Sequence, residues 1–143
     1  TAEYSGSWDF HSTHIAVTIT PKKASSSFLI TANVCGSVNG STTWMCELYR
    51  NGQPTEARGD AAGSRERVFI KHCTPNVSWS SIGSGMYLDE GVNSTSPQEY
   101  RLYIRGHDTR SVRVNYNWSD ADNNYGDTAR SISTITIQEI SND

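Results

Sequence analysis

Apolar side chains in this chain recur at every second position, and no stretch repeats them at the i, i+3, i+4, i+7 spacing of an amphipathic helix. Ile15, Val17 and Ile19 alternate ahead of Pro21. Phe28, Ile30, Ala32 and Val34 alternate after Ser25-Ser26-Ser27, and Trp44, Cys46 and Leu48 run into the turn dipeptide Asn51-Gly52. Further strands are predicted over 65–73 (Val68, Ile70), 82–90 (Ile82, Met86, Leu88), 99–106 (Tyr100, Leu102, Ile104), 112–118 (Val112, Val114, Tyr116, Trp118) and 132–140, which is rich in Thr and Ile. About eight strands joined by polar, Gly-bearing turns predict an all-β fold, an antiparallel two-sheet sandwich of jelly-roll type, rather than βαβ units.

The 143 residues suit one core, and neither an internal repeat nor a composition break marks a second domain. Residues 1–12, which carry Tyr4, Trp8 and Phe10, read as an N-terminal arm or edge strand on a sandwich spanning 13–143. If successive strands alternate in direction, the long connections 21–26, 51–64, 91–98 and 119–130 share one end. Connections 37–43, 74–81 and 107–110 then lie at the other end with both termini. A chain opening at Thr1 without Met reads as a processed product or an excised C-terminal piece.

Charge narrows the partners. Twelve Lys and Arg stand against 15 Asp and Glu, a net charge of −3, so no broad basic face is available for nucleic acid or anionic lipid. No apolar run approaches the roughly 20 residues of a membrane helix, so membrane insertion is not expected. Three cysteines without a C-x-x-C pair suggest neither a zinc knuckle nor a disulfide framework, and no cofactor is called for. A hairpin centred on Gly40-Ser41 would set Cys35 opposite Cys46, either as a bridge or as two small buried apolar groups.

The order of several segments resembles the C-terminal head domains of bacteriophage tail-fibre and related virion-surface proteins. They are Ile19-Thr20-Pro21 leading into 28–34, Leu48-Tyr49-Arg50-Asn51-Gly52, Tyr87-Leu88-Asp89 before Ser96-Pro97, Tyr100-Arg101-Leu102-Tyr103-Ile104, and the terminal Thr134-Ile135-Thr136-Ile137-Gln138-Glu139-Ile140. The likeness covers residues 13–140. It implies a trimeric jelly-roll head, similar in outline to C1q and tumour-necrosis-factor heads, displayed on a virion for host attachment or for decorating the particle. It supplies no functional residue to carry over, so candidate sites rest on loop chemistry.

The stretch Asp120-Ala121-Asp122-Asn123-Asn124-Tyr125-Gly126-Asp127 gathers oxygen donors as a calcium loop does. Its Gly falls one position late and Ser131 stands where a bidentate Glu is needed, so the spacing favours an ordinary polar loop whose Asx side chains bond their own backbone. Asp120, Asp122, Asn123, Asn124 and Tyr125, with Trp118 and Asn93, are the candidate ligand-binding residues. Flat aromatic faces for sugar rings beside carboxamides and carboxylates for hydroxyls suit a glycan, and Tyr116 and Tyr103 extend the patch. The alternative is that Tyr116 and Trp118 fill the core or a subunit interface.

Other motifs are weaker. Arg58-Gly59-Asp60 is a common tripeptide in a long loop, and four N-x-[ST] triplets start at Asn39, Asn76, Asn93 and Asn117. His11 and His14, three apart, point to opposite faces of a strand. His107-Asp108 has no G-x-S-x-G serine nearby. Asp89 and Glu90 could meet the 120–127 cluster as paired carboxylates of a glycosidase.

The expectation is therefore a non-enzymatic, homotrimeric tail-fibre head that binds a host-surface glycan or protein through its distal loops, outside the cell on a virion. The alternatives are a capsid decoration protein contacting neighbouring virion proteins, a secreted C1q-like or lectin-like module, and a polysaccharide-degrading spike fragment.

Overall fold

The computed structural model describes residues 1–76, 78–124, 126 and 129–141. Among them are ten strands: β1 (Ala2–Tyr4), β2 (His11–Ile19), β3 (Ser27–Val38), β4 (Thr42–Arg50), β5 (Gln53–Pro54), β6 (Ile70–Thr74), β7 (Ser81–Asp89), β8 (Gln98–Gly106), β9 (Val112–Val114) and β10 (Thr134–Ile140). They form two antiparallel sheets of five strands each, so the expected sandwich is present with ten strands rather than eight. Sheet A holds β1, β3, β7, β9 and β10. Sheet B holds β2, β4, β5, β6 and β8.

In sheet A, β3 is the central strand. β7 lies along one edge of it, from Phe28↔Asp89 to Gly36↔Ser81. The other edge is shared: β10 pairs with Ser27–Asn33 and β9 with Gly36–Val38, both antiparallel to β3. β9 and β10 thus run in the same direction along one line, two halves of a single strand interrupted by the excursion 115–133. β1 closes this side, with Ala2 opposite Val114 and Tyr4 opposite Val112.

The alternating residues of β3 explain its central place. Phe28, Ile30, Ala32 and Val34 point inward and are fully buried against Trp44, Leu48, Tyr100, Leu102 and Ile104 from sheet B. Trp44 reaches across the gap and donates its indole N–H to Ser81 Oγ (2.9 Å). Sheet A meets it with glycines. A Cβ on Gly36 would lie 2.9 Å from the Trp44 ring, and one on Gly83 would lie 2.8 Å from it and 2.6 Å from Ile70 Cγ2. Gly85 answers Phe69 and Ile70 in the same way.

Four expectations are corrected. The segment after β3 does not fold back as a hairpin: β3 and β4 belong to opposite sheets, so residues 39–41 form an arch and Cys35 lies opposite Ile82, not Cys46. Both cysteines are buried and free, and Cys73 is free and exposed. The strand expected at 65–73 begins only at Ile70, because just before it Val68 O is taken by the Gly59 N–H (3.3 Å) of the preceding connection. The strand expected at 112–118 ends at Val114, where Asn115 turns the backbone to a φ of 72° and leads out of the sheet.

The fourth correction concerns the ends. Connections 21–26, 51–64 and 91–97 do gather at one end, here called distal, since Ile19↔Gln98, Arg50↔Tyr100 and Phe28↔Asp89 all lie there. The C-terminal end of β10 joins them, opposite Ser27, instead of lying with the N-terminus. The 115–133 excursion leaves from the proximal half of β3 and is tied to Ser78, just before β7 begins.

Two outcomes test this packing. Gly83→Ala should lower stability by about 1–3 kcal/mol in urea unfolding, because the methyl must displace Trp44 or Ile70. Ser84→Ala, next door on the outer face, should change it by less than about 0.5 kcal/mol. Equal effects would mean that Trp44 and Ile70 do not fill the slot left by Gly83. Burial also pushes the Cys46 thiol well above its ordinary value, and Cys35 is only 1% exposed. Native protein should therefore react at one thiol, Cys73, with Ellman's reagent, and at all three after denaturation.

Candidate functional site

Residues 115–133 form a closed-neck loop. Asn115 N–H donates to Cys35 O (2.9 Å) and Ser131 N–H to Asn115 O (3.0 Å). Ser133 Oγ donates to Asn115 Oδ1 (2.6 Å) and itself accepts from the Cys35 N–H (2.9 Å). From this neck the chain folds over the outer face of β3. Ser37 Oγ donates to Tyr116 O (2.9 Å), and Asn117 Nδ2 reaches Ser78 O (2.7 Å). Cys35 and Ser37 point away from the core yet are buried, because the loop covers them.

Two of the candidate residues in this loop, Asp120 and Trp118, are engaged by neighbours outside the candidate set. Asn117 is buried, and its Oδ1 accepts from Asp120 N–H (2.7 Å) and Ser119 Oγ (3.2 Å), an Asx turn that holds Asp120 at a φ of 42°. The Asp120 carboxylate takes the Arg130 guanidinium at 2.8 Å. The Arg113 guanidinium sits 4.3 Å from the Trp118 ring centre and 5.0 Å from that of Tyr116, with its Nε on Glu3 (2.9 Å). Trp118 and Tyr116 are therefore packed by cations rather than offered as open platforms.

Asp122, Asn123 and Asn124 are exposed, and Tyr125 lies outside the described residues. Asn93 is exposed at a φ of 46° in the distal connection 91–97, so the structure does not bring it to the others. Tyr103 stacks on Tyr49 (ring centres 3.8 Å apart) on the outer face of sheet B, also remote from this loop.

The remaining motifs resolve similarly. Among the described residues no group of three His, Cys, Asp or Glu side chains gathers to hold a metal ion. Asp89 ends β7 at the distal end while Asp120 is rooted beside Ser78 at its start, roughly 25 Å away at strand rise, so these carboxylates do not pair. In Arg58-Gly59-Asp60, Arg58 is half-buried and bonded to Glu56 Oε1 (3.3 Å), and Gly59 O accepts from Arg67 Nε (2.5 Å), which ties the tripeptide down. Asn117, buried and bonded, is closed to glycosylation, whereas Asn39, Asn76 and Asn93 are exposed. His11 is half-buried against Tyr4 (ring centres 6.2 Å apart), and His14 is exposed.

What the sequence did not reveal is the character of the sheet faces. β7 turns Gly83, Gly85, Tyr87 and Asp89 inward, so Ile82, Met86 and Leu88 face solvent, with Met86 67% and Ile82 59% exposed. Across β7, β3 and β10 the outer face reads in rows: Leu88, Leu29 and Gln138; Met86, Thr31 and Thr136; Ser84, Asn33 and Thr134. None of these side chains is ionisable. The outer face of sheet B is the opposite, carrying Glu47, Glu99, Arg101 and Arg105, with Arg101 on Glu99 (2.8 Å) and Arg105 on Glu66. The N-terminal arm covers part of it, placing Trp8 and Phe10 over Arg105 (5.8 and 5.2 Å).

No model of a protein family matches the chain, and no curated protein matches it either. The geometry of these surfaces therefore carries the functional argument.

The loop's attachment can be read through Cys35. Asn115→Ala removes the acceptor for Ser133 and puts Ala at a positive φ, so in a Cys73→Ser background Cys35 should be labelled by Ellman's reagent at least about tenfold faster, on the scale of the roughly 1.4 kcal/mol such a loss represents. An unchanged rate would mean that the neck does not hold the loop over Cys35.

Proposed function

We propose that this domain is a non-enzymatic, homo-oligomeric head of a virion-surface protein, trimeric as in the tail-fibre heads it resembles, which binds a host receptor or glycan at its distal end. The observation that carries the reading is the uncharged outer surface shared by β7, β3 and β10, beside which Glu3 of β1 and Arg113 of β9 pair with each other. A soluble monomer rarely leaves Ile, Met and Leu in register on a bare sheet face, and a patch of this kind marks a contact surface. Because it holds no ionisable group, two copies can bury it with no charge left unpaired, a condition the outer face of sheet B does not meet.

The distal end supports the second half of the reading. Association through a sheet face leaves the ends of the strands free, and connections 51–64 and 91–97 lie at the end away from β1. Assignment to a virion rests on the order of segments described above, and placement outside the cell follows from that assignment.

Sedimentation or light scattering at micromolar concentration should give a homotrimer. Met86→Lys, at an exposed position, should convert it to monomer while leaving the far-ultraviolet circular dichroism unchanged, since a charge would then have to be desolvated at the contact. A monodisperse wild-type monomer would sink the proposal.

A further inference from the structure

The distal end holds a cavity of about 340 Å³ between the two sheets, walled by Arg50, Gln53, Pro54, Glu56, Tyr87 and Asp89. Three strands fix its floor. Asp89, at the end of β7, has a side chain only 6% exposed. Its Oδ2 accepts from Arg50 Nη1 of β4 (2.6 Å) and from the Tyr100 hydroxyl of β8 (2.9 Å), and its Oδ1 accepts from the Gly91 N–H (3.2 Å). Burial and the neighbouring Asp89 carboxylate push the Tyr100 phenol far above its ordinary value, so it stays a hydrogen-bond donor.

The walls are less committed than the floor. Arg50 keeps 29% of its side chain exposed where it lines the cavity, and the guanidinium has more donors than the Asp89 bond uses. Neither the Gln53 carboxamide nor the Tyr87 hydroxyl bonds to any described residue. Tyr87 and Pro54 add apolar surface beside these groups.

Charge decides the ligand class. Arg50 is matched by Asp89, and Glu56 is met by Arg58 (3.3 Å) and Arg67 (3.9 Å), so neither a strong anion nor a cation finds an uncompensated partner here. A neutral molecule with several hydroxyls fits better. Each hydroxyl both donates and accepts, so adjacent ones can give to Asp89 or the Gln53 carbonyl and take from Arg50 or the Gln53 amide, with a C–H face against Tyr87. The volume stands at the small end of ligand sites.

We propose that this cavity is a saccharide subsite that takes one neutral pyranose unit. It rests on the reading of the distal end as the binding end and names the site and the class of ligand. Asp122, Asn123 and Asn124 have no part in it.

The test uses the intact 143-residue domain and four probes, the methyl pyranosides of glucose, galactose, mannose and N-acetylglucosamine, each at millimolar concentration. Saturation-transfer NMR should show transfer to at least one of them. Tyr87→Ala and Gln53→Ala should each reduce the affinity for that probe about tenfold or more, the loss of roughly 1.4 kcal/mol expected for one good contact. Gln53→Ala should keep the wild-type melting temperature, because Gln53 is exposed, whereas Tyr87→Ala should lower it, because the ring also packs against the core, so its binding is measured well below its own transition; Asn124→Ala should bind as wild type does. Tyr87→Phe separates ring stacking from hydroxyl bonding without disturbing the wall. Transfer to none of the probes, or transfer that survives both Tyr87→Ala and Gln53→Ala, overturns the proposal. Light scattering on the same samples separates the two readings: a trimer without transfer removes the subsite alone, and a monomer with Tyr87-dependent transfer removes the assembly alone.

Discussion

Trp44 spans the space between the sheets, and much of the molecule follows from making room for it. The ring comes from sheet B, and the positions of sheet A that face it, Gly36 and Gly83, carry no side chain. A strand alternates strictly between its two faces, so committing Gly83 and Gly85 to the inside commits Ile82, Ser84 and Met86 to the outside. The exposed apolar face is thus not a loose decoration of the surface. It is the other half of the arrangement that lets the sheets approach, and reversing it would require a one-residue slip of β7 that puts the side chain of Ile82 or Ser84 where Gly83 meets the indole.

This is also why β7 misleads when read from its sequence. Ile82, Met86 and Leu88 look like a core stripe because apolar residues are normally assigned inward, and nothing local says that glycines occupy the inside instead. Strands whose large residues do face the core were legible: Phe28 to Val34 in β3, Trp44 to Leu48 in β4 and Tyr100 to Ile104 in β8 each appear where their period places them. The tight connection at Gly40-Ser41 has the chemistry of a hairpin, but β3 and β4 take different sheets, a choice made by packing across the whole core. For the same reason Cys35 and Cys46 part company.

The interruption of β9 and β10 was equally hidden. Val112, Val114, Tyr116 and Trp118 keep perfect alternation, yet the strand stops at Val114, since Asn115 adopts a left-handed conformation and its side chain and backbone hold the neck. Tyr116 and Trp118 instead meet Arg113, an interaction between residues too close in sequence to register as a signal of fold. The stretch 120–127 read either as candidate ligand-binding residues or as a polar loop of Asx turns, and the Asx turn that the structure places here is made by Asn117 on Asp120 N–H. Grouping these residues with Asn93 depended on strand parity, and the excursion after Asn115 leaves from the proximal half of β3 while Asn93 lies in a distal connection.

The two outer faces divide the surface in a way that bears on function. Ion pairs and the N-terminal arm occupy sheet B, where Arg105 lies under Trp8 and Phe10 and bonds Glu66. The 115–133 loop occupies the proximal half of sheet A, over Cys35 and Ser37. Among the described residues, nothing covers the distal half of sheet A or the distal end itself. A contact through a sheet face would lie alongside the strands without closing off their ends, so the proposed assembly would leave the cavity above Asp89 open. The proposed assembly and the proposed recognition would then be separable, because the residues of the first sit on the outward positions of β7, β3 and β10, and those of the second on the inward positions at the distal ends of β4 and β7 and on β5.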